Sequence, residues 1–277
     1  MRIQFISNIL AGIALCVCAS CSDWTELEAE FEEDLRGTNK SEEYYEALRA
    51  YKKSDHLLSF AWIGNISHGG TDLEKSYLGM PDSLDIVSIW QGIQSDEYWS
   101  ELRYCQQKLG TRFLRCRFAS KVPEEYGWTE YQPADPEKDP EKYAIMEKAI
   151  QAYANALCDE IDENGLDGLD IDYEPTVGGP EAKGNLGAHQ VTMEIWIKEL
   201  GKRLGPQSGT EKLLTVDGEI SHRNLKNLGK YFSYFISQAY NSSSESSLDN
   251  RLRSLIQCYT TSTVDPITME ECVRKFI

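Results

Sequence analysis

Leu166-Asp167-Gly168-Leu169-Asp170-Ile171-Asp172-Tyr173-Glu174-Pro175 is the stretch on which the reading of this chain turns. Side chains on a strand alternate faces, so Asp170, Asp172 and Glu174 share one side and Leu169, Ile171 and Tyr173 the other. Three alternating acids usually mark a solvated antiparallel face. Here the interleaved residues are strongly apolar, and the run follows a helical pattern stopped by Asn164-Gly165, which points instead to a strand with its acids turned inward. Aligned carboxylates also bind hard cations, but the spacing departs from an EF-hand loop and a strand offers few backbone carbonyls, so no metal is expected. Neighbours in the row stand about 6.6 Å apart. In a low-dielectric site not all three ionise, and at least one keeps a proton near neutrality. A general acid needs such a carboxyl, and Glu174 is the last and longest of the row, just before the strand-ending Pro175.

Working outward, five more short β-rich runs stand out: Leu57–Ile63, Leu84–Trp90, Arg112–Phe118, Lys212–Val216 and Tyr234–Tyr240. Between them lie helical patterns at Glu42–Lys53, Asp96–Leu109, Glu141–Glu163 and His189–Leu204. Strands alternating with helices at this separation are parallel and joined by crossovers. No glycine-rich phosphate loop follows the first strand, which favours a (β/α)8-type TIM barrel over a doubly wound sheet. In a barrel the apolar set packs under the helices and the three acids project into the lumen.

Composition bounds the function. The 277 residues carry 45 Asp+Glu against 28 Lys+Arg, a net charge of −17, with 41% hydrophobic residues. That is a core-forming chain, and its acidity argues against nucleic acid as a partner. No nucleotide-binding or zinc-type motif is present, and no cofactor is expected. Residues 1–20 place Arg2 before an apolar run from Ile6 to Ala19, the pattern of a secretory signal. Cys18-Ala19-Ser20-Cys21 resembles a bacterial lipoprotein cleavage box with Cys21 as the lipidated residue. The acidic stretch over 21–40 resembles the surface-export leader of lipoproteins in gut Bacteroidetes and reads as a solvated tether. The expected protein is therefore secreted, an outer-membrane lipoprotein at the cell surface anchored through Cys21, and a monomer. Cys105, Cys116, Cys158, Cys258 and Cys272 lack framework spacing and read as small buried thiols.

The four acids Asp167, Asp170, Asp172 and Glu174 resemble the DxxDxDxE pattern of glycoside hydrolase family 18, the chitinases and endo-β-N-acetylglucosaminidases. Gln238-Ala239-Tyr240-Asn241 is similar to that family's Gln-x-Tyr segment ending in Asp or Asn. With the leader, the likeness is to Bacteroides-type surface endoglycosidases and spans Leu57 to Asn241. It implies that Glu174 protonates the glycosidic oxygen and that the substrate's own 2-acetamido oxygen is the nucleophile, in place of the usual second carboxylate. It further implies that Asp172 orients the acetamido N–H, that Asp170 tunes Asp172, and that Tyr240 bonds the acetamido oxygen with Gln238 and Asn241 nearby. Asp167, off the lumen row, reads as structural. One departure matters. Chitinases of this family commonly carry an SxGG segment on the third strand, whereas Phe113–Ser120 contains no glycine. This tilts the reading towards the endoglycosidase branch. Trp62, Trp90 and Gln91, at the ends of the first two strands, are further candidates for sugar contacts.

The expected activity is thus cleavage of β-1,4 linkages after N-acetylglucosamine in the N-glycan chitobiose core, with a GlcNAc-containing glycan or glycoprotein as partner. The alternatives are a non-catalytic surface glycan-binding protein of the same fold and an endo-chitinase. Retention of Glu174 favours the enzyme. After the sixth run the chain reads as a helix over Leu248–Cys258 and another begun by Asp265-Pro266, and stops at Ile277 where a seventh strand would start. The catalytic domain over 41–277 is therefore expected to be an incomplete barrel, truncated at its C-terminus, with about six strands. Such a sheet exposes unpaired edges, and the isolated chain is expected to be unstable or inactive.

Overall fold

The computed structural model describes residues 40–64, 66, 73–90, 95–176, 184–240 and 244–277. The expected signal, Cys21 and nearly all of the tether lie outside these residues, as do Gln91 and Asn241.

The β-rich runs form strands β1 (Phe60–Ile63), β2 (Ile86–Ile89), β3 (Arg112–Phe118), β4 (Gly168–Tyr173), β5 (Leu213–Gly218) and β6 (Tyr234–Ile236). They pair side by side in chain order, every pair parallel. Among the described residues the architecture is α/β, a six-stranded incomplete barrel of the (β/α)8 type. The helices are α1 (Glu42–Lys52), α2 (Asp96–Tyr104), α3 (Pro140–Glu163), α4 (Gln190–Leu200), α5 (Glu245–Thr260) and α6 (Met269–Lys275). The longest, α3, begins at Asp139, whose side chain accepts from the Lys142 N–H at 3.0 Å with Pro140 in the first turn, and stops at Asn164-Gly165.

Several boundaries differ from the sequence reading: β1 starts at Phe60 rather than Leu57, β6 ends at Ile236 rather than Tyr240, and α5 runs Glu245–Thr260 rather than Leu248–Cys258; three more have a local cause. The expected Asp96–Leu109 helix leaves α geometry at Tyr104 and continues as one wider π turn to Leu109. The last helix starts at Thr268 rather than at Asp265-Pro266, because Thr268 and Glu271 form a reciprocal capping box. Strand β5 runs past Val216 to Gly218, which brings Asp217 onto the sheet.

The outward side chains Leu169, Ile171 and Tyr173 are fully buried in the main core with Met193, Trp196 and Ile197 of α4 and Ile150, Leu157 and Ile161 of α3. Inside the lumen, Ile86, Leu114 and Leu213 form a smaller apolar floor with Phe60 and Tyr234 packed against it. Beyond β6, Phe276 bridges Phe235 in parallel. The Ile277 N–H donates to the Phe235 carbonyl at 2.9 Å, and the Ser237 N–H to the Ile277 carbonyl at 2.8 Å. Cys105, Cys116, Cys158, Cys258 and Cys272 are unpaired. Among the described residues, no helix is long and apolar enough to cross a membrane.

Candidate active site

The parallel register stacks the lumen side chains in layers. Cys116, Asp170 and Thr215 lie level on β3, β4 and β5; one step nearer the strand ends come Phe118, Asp172 and Asp217. Gly168 makes this close approach feasible at the base of β4. A Cβ there would stand 2.1 Å from the Leu213 carbonyl oxygen, and its φ of +150° suits glycine.

Asp170 is fully buried. Ser88 Oγ donates to its Oδ2 at 2.6 Å and Thr215 Oγ1 to its Oδ1 at 2.5 Å. Burial pushes its pKa up while these hydroxyls pull against the rise. Asp172, 8% exposed, receives the Gln238 Nε2 amide at 3.5 Å on Oδ1. Its carboxyl is pushed up to about 7, first by burial, then by the charges of Glu174 and Asp170. Glu174 follows β4 and is half-buried at the mouth of the lumen.

Trp62, Trp90, Phe118, Ser120, Asp172, Glu174, Asp217, Gln238 and Tyr240 line one cavity of about 730 Å³ at the strand ends. Trp90 is 56% and Tyr240 66% exposed, and the Trp62 and Tyr240 rings lie 6.4 Å apart. These are flat apolar surfaces beside carboxylates, an arrangement suited to a neutral polyhydroxylated ring. The structure brings together Trp62, Trp90, Asp172, Glu174, Gln238 and Tyr240, with Asp170 one layer below. Asp167 is elsewhere: its Oδ2 accepts from the Phe113 N–H at 2.8 Å and from Gln106 Nε2 at 2.6 Å, tying β4 to β3. Among the described residues, no group of three His, Cys, Asp or Glu is placed to hold a metal ion.

Asp217, Ser88, Thr215 and Phe118 escaped the sequence reading. Asp217 follows directly on the expected β5, and alternation from Leu213 and Thr215 would have placed it on the lumen face. Its Oδ2 accepts the Trp62 indole N–H at 2.5 Å. Two histidines take structural roles: the His56 side chain packs against Asp85 at 3.1 Å, and His222 Nδ1 meets the Tyr173 hydroxyl at 3.1 Å.

The family model described as glycoside hydrolase family 18, BT1044-like, matches residues 25–270. No curated protein matches. Among solved structures, a glutamate-to-glutamine variant of BT1044 is 26% identical, with a TM-score of 0.62 over 85% of this chain and 69% of that one. The endo-β-N-acetylglucosaminidase of Cordyceps militaris in apo form is 24% identical, with a TM-score of 0.59 over 79% of this chain and 69% of that one. Its doubly substituted mutant in complex with fucosyl-N-acetylglucosamine-Asn is 24% identical, with a TM-score of 0.57 over 77% of this chain and 67% of that one.

Proposed function

This chain belongs to glycoside hydrolase family 18, and from that premise we propose that it cleaves the β-1,4 bond after N-acetylglucosamine in the chitobiose core of N-glycans. The observation that carries the reading is the Asp170–Asp172–Glu174 row opening into an aromatic cavity of about 730 Å³. Glu174, at the cavity mouth, gives its proton to the glycosidic oxygen as the bond to the anomeric carbon breaks. The substrate's acetamido oxygen attacks that carbon from the opposite face and forms an oxazolinium ion. Asp172 accepts the acetamido N–H and balances the positive charge, while the Tyr240 hydroxyl supports the acetamido oxygen. Water then opens the ring and returns its proton to Glu174, with net retention at the anomeric carbon.

Support for the endoglycosidase branch over chitin comes from β3. Phe118, level with Asp172, lines the cavity, and Cys116 fills the position level with Asp170. This strand has no glycine, whereas chitinases of the family commonly carry an SxGG segment there. Anchoring through Cys21 and display at the cell surface belong to the same proposal, with the acidic tether holding the domain off the membrane. The test is turnover of a high-mannose glycopeptide against chitin oligomers by the wild-type chain and by Glu174→Gln. Cleavage of the glycopeptide that the substitution abolishes supports the reading. Preference for chitin, or undiminished turnover in Glu174→Gln, defeats it.

A further inference from the structure

Asp217 is fully buried in the lumen wall, level with Asp172 across the β4–β5 pairing and one layer above Asp170. Its two oxygens differ. Oδ2 receives the Trp62 indole N–H at 2.5 Å, and an indole nitrogen can only donate, so this oxygen is an acceptor. Oδ1 is shielded from solvent and has no hydrogen-bond partner among the described residues. An ionised carboxylate with one naked oxygen would be costly there. The groups that face it are Asp170 and Asp172 on β4, Trp62 on β1, Gln238 and Tyr240 after β6 and Cys116 on β3. None is basic, and the cavity they adjoin has no lysine, arginine or histidine among its described lining.

We propose that Asp217 is a stored proton: a neutral carboxylic acid whose Oδ1 carries the proton and whose Oδ2 is fixed as acceptor by Trp62. On the glycosidase reading above, on which its role rests, it is a positioning residue. By staying neutral it leaves the negative charge of this layer to Asp172, the group that must face the cationic ring. Burial, with the neighbouring Asp170 and Asp172 carboxyls, pushes Asp217 up to about 9, in line with the geometry.

Trp62 reports directly on this proton. In the full chain labelled with 15N at tryptophan, with the Trp62 indole signal assigned through Trp62→Phe, the indole resonance is expected to hold steady from pH 5 to 7. It then shifts in a single step on the alkaline side, and the step is absent in Asp217→Asn. With high-mannose glycopeptide as substrate, the alkaline limb of kcat moves in Asp217→Asn, whereas Asp217→Leu, which strands the Trp62 donor, lowers kcat tenfold or more across the range. An indole step below pH 6, or none up to pH 10, overturns the proposal, as does an alkaline limb identical in wild type and Asp217→Asn. The indole titration needs no turnover. An intact step in a chain that cleaves no glycan therefore counts against the glycosidase reading and upholds the neutral acid.

Discussion

Gly218 ends β5 with φ +82°, and it holds Glu174 in place from the side. A Cβ at this position would stand 2.5 Å from the Tyr173 carbonyl oxygen and 3.1 Å from Glu174 Cγ. Gly218→Ala therefore combines two costs. The left-handed backbone disfavours alanine by about 1–2 kcal/mol. Relieving the clash parts β5 from β4 and loosens the Glu219 N–H bond to Tyr173 O, now 2.8 Å, worth about 1 kcal/mol. The expected destabilisation is about 2–3 kcal/mol, roughly 4–12 °C in melting temperature. Displacing Glu174 by about 1 Å lowers kcat on the order of a hundredfold. Gly127→Ala is the control: its φ is +85°, yet nothing lies within 4 Å of the added Cβ. It carries the backbone cost alone and leaves kcat unchanged. Calorimetry and steady-state turnover on the two variants decide the matter. If Gly218→Ala matched Gly127→Ala in both melting and kcat, the packing of Gly218 against Glu174 would have no catalytic meaning.

Because the folded state raises the pKa of Asp217, native protein holds a proton that unfolded protein releases, and the stability this gives is complete below about 3.8 and lost as pH rises through about 9. Asp217→Asn escapes that loss, so its unfolding free energy, matched to wild type near pH 4, exceeds it by a few kcal/mol at pH 8 in denaturant titrations. Trp90→Ala removes an exposed ring from the cavity wall and raises KM for the glycopeptide roughly three- to tenfold with little change in kcat. The outer edge of β1 has no strand partner among the described residues, and Leu57 beside it is 94% exposed. The chain is expected to bind a hydrophobic dye and to melt below about 45 °C, so turnover is measured in the cold. A cooperative melt well above that range contradicts this.

The β4 row was legible because its information is local: period-two alternation with apolar partners identifies a buried strand and the face of its acids from ten consecutive residues. Helix α3 was legible for the same reason, with an apolar stripe and an Asn-Gly stop in one stretch. Asp217 was not. Its meaning comes from standing level with Asp172 on the next strand, and register between strands is a tertiary fact. The same holds for Ser88 and Thr215, whose hydroxyls converge on Asp170 from two other strands. Trp62 was read as a sugar contact, and its ring does line the cavity, but its indole N–H is committed to Asp217. Helix α6 starts at Thr268 and not at Asp265-Pro266 because the Thr268–Glu271 box satisfies two backbone donors at once.

In the proposed mechanism the nucleophile is the substrate's acetamido group, with Glu174 as acid and Asp172 as its charged partner. The most direct measurement is the cleavage rate of a chitobiose-type glycoside beside the same compound with hydroxyl in place of the acetamido group on the ring being cleaved. The hydroxyl analogue is expected to be cut at least about a thousandfold more slowly, because the intramolecular nucleophile is gone. Comparable rates on both would mean that a protein carboxylate attacks the anomeric carbon, and would overturn the substrate-assisted mechanism.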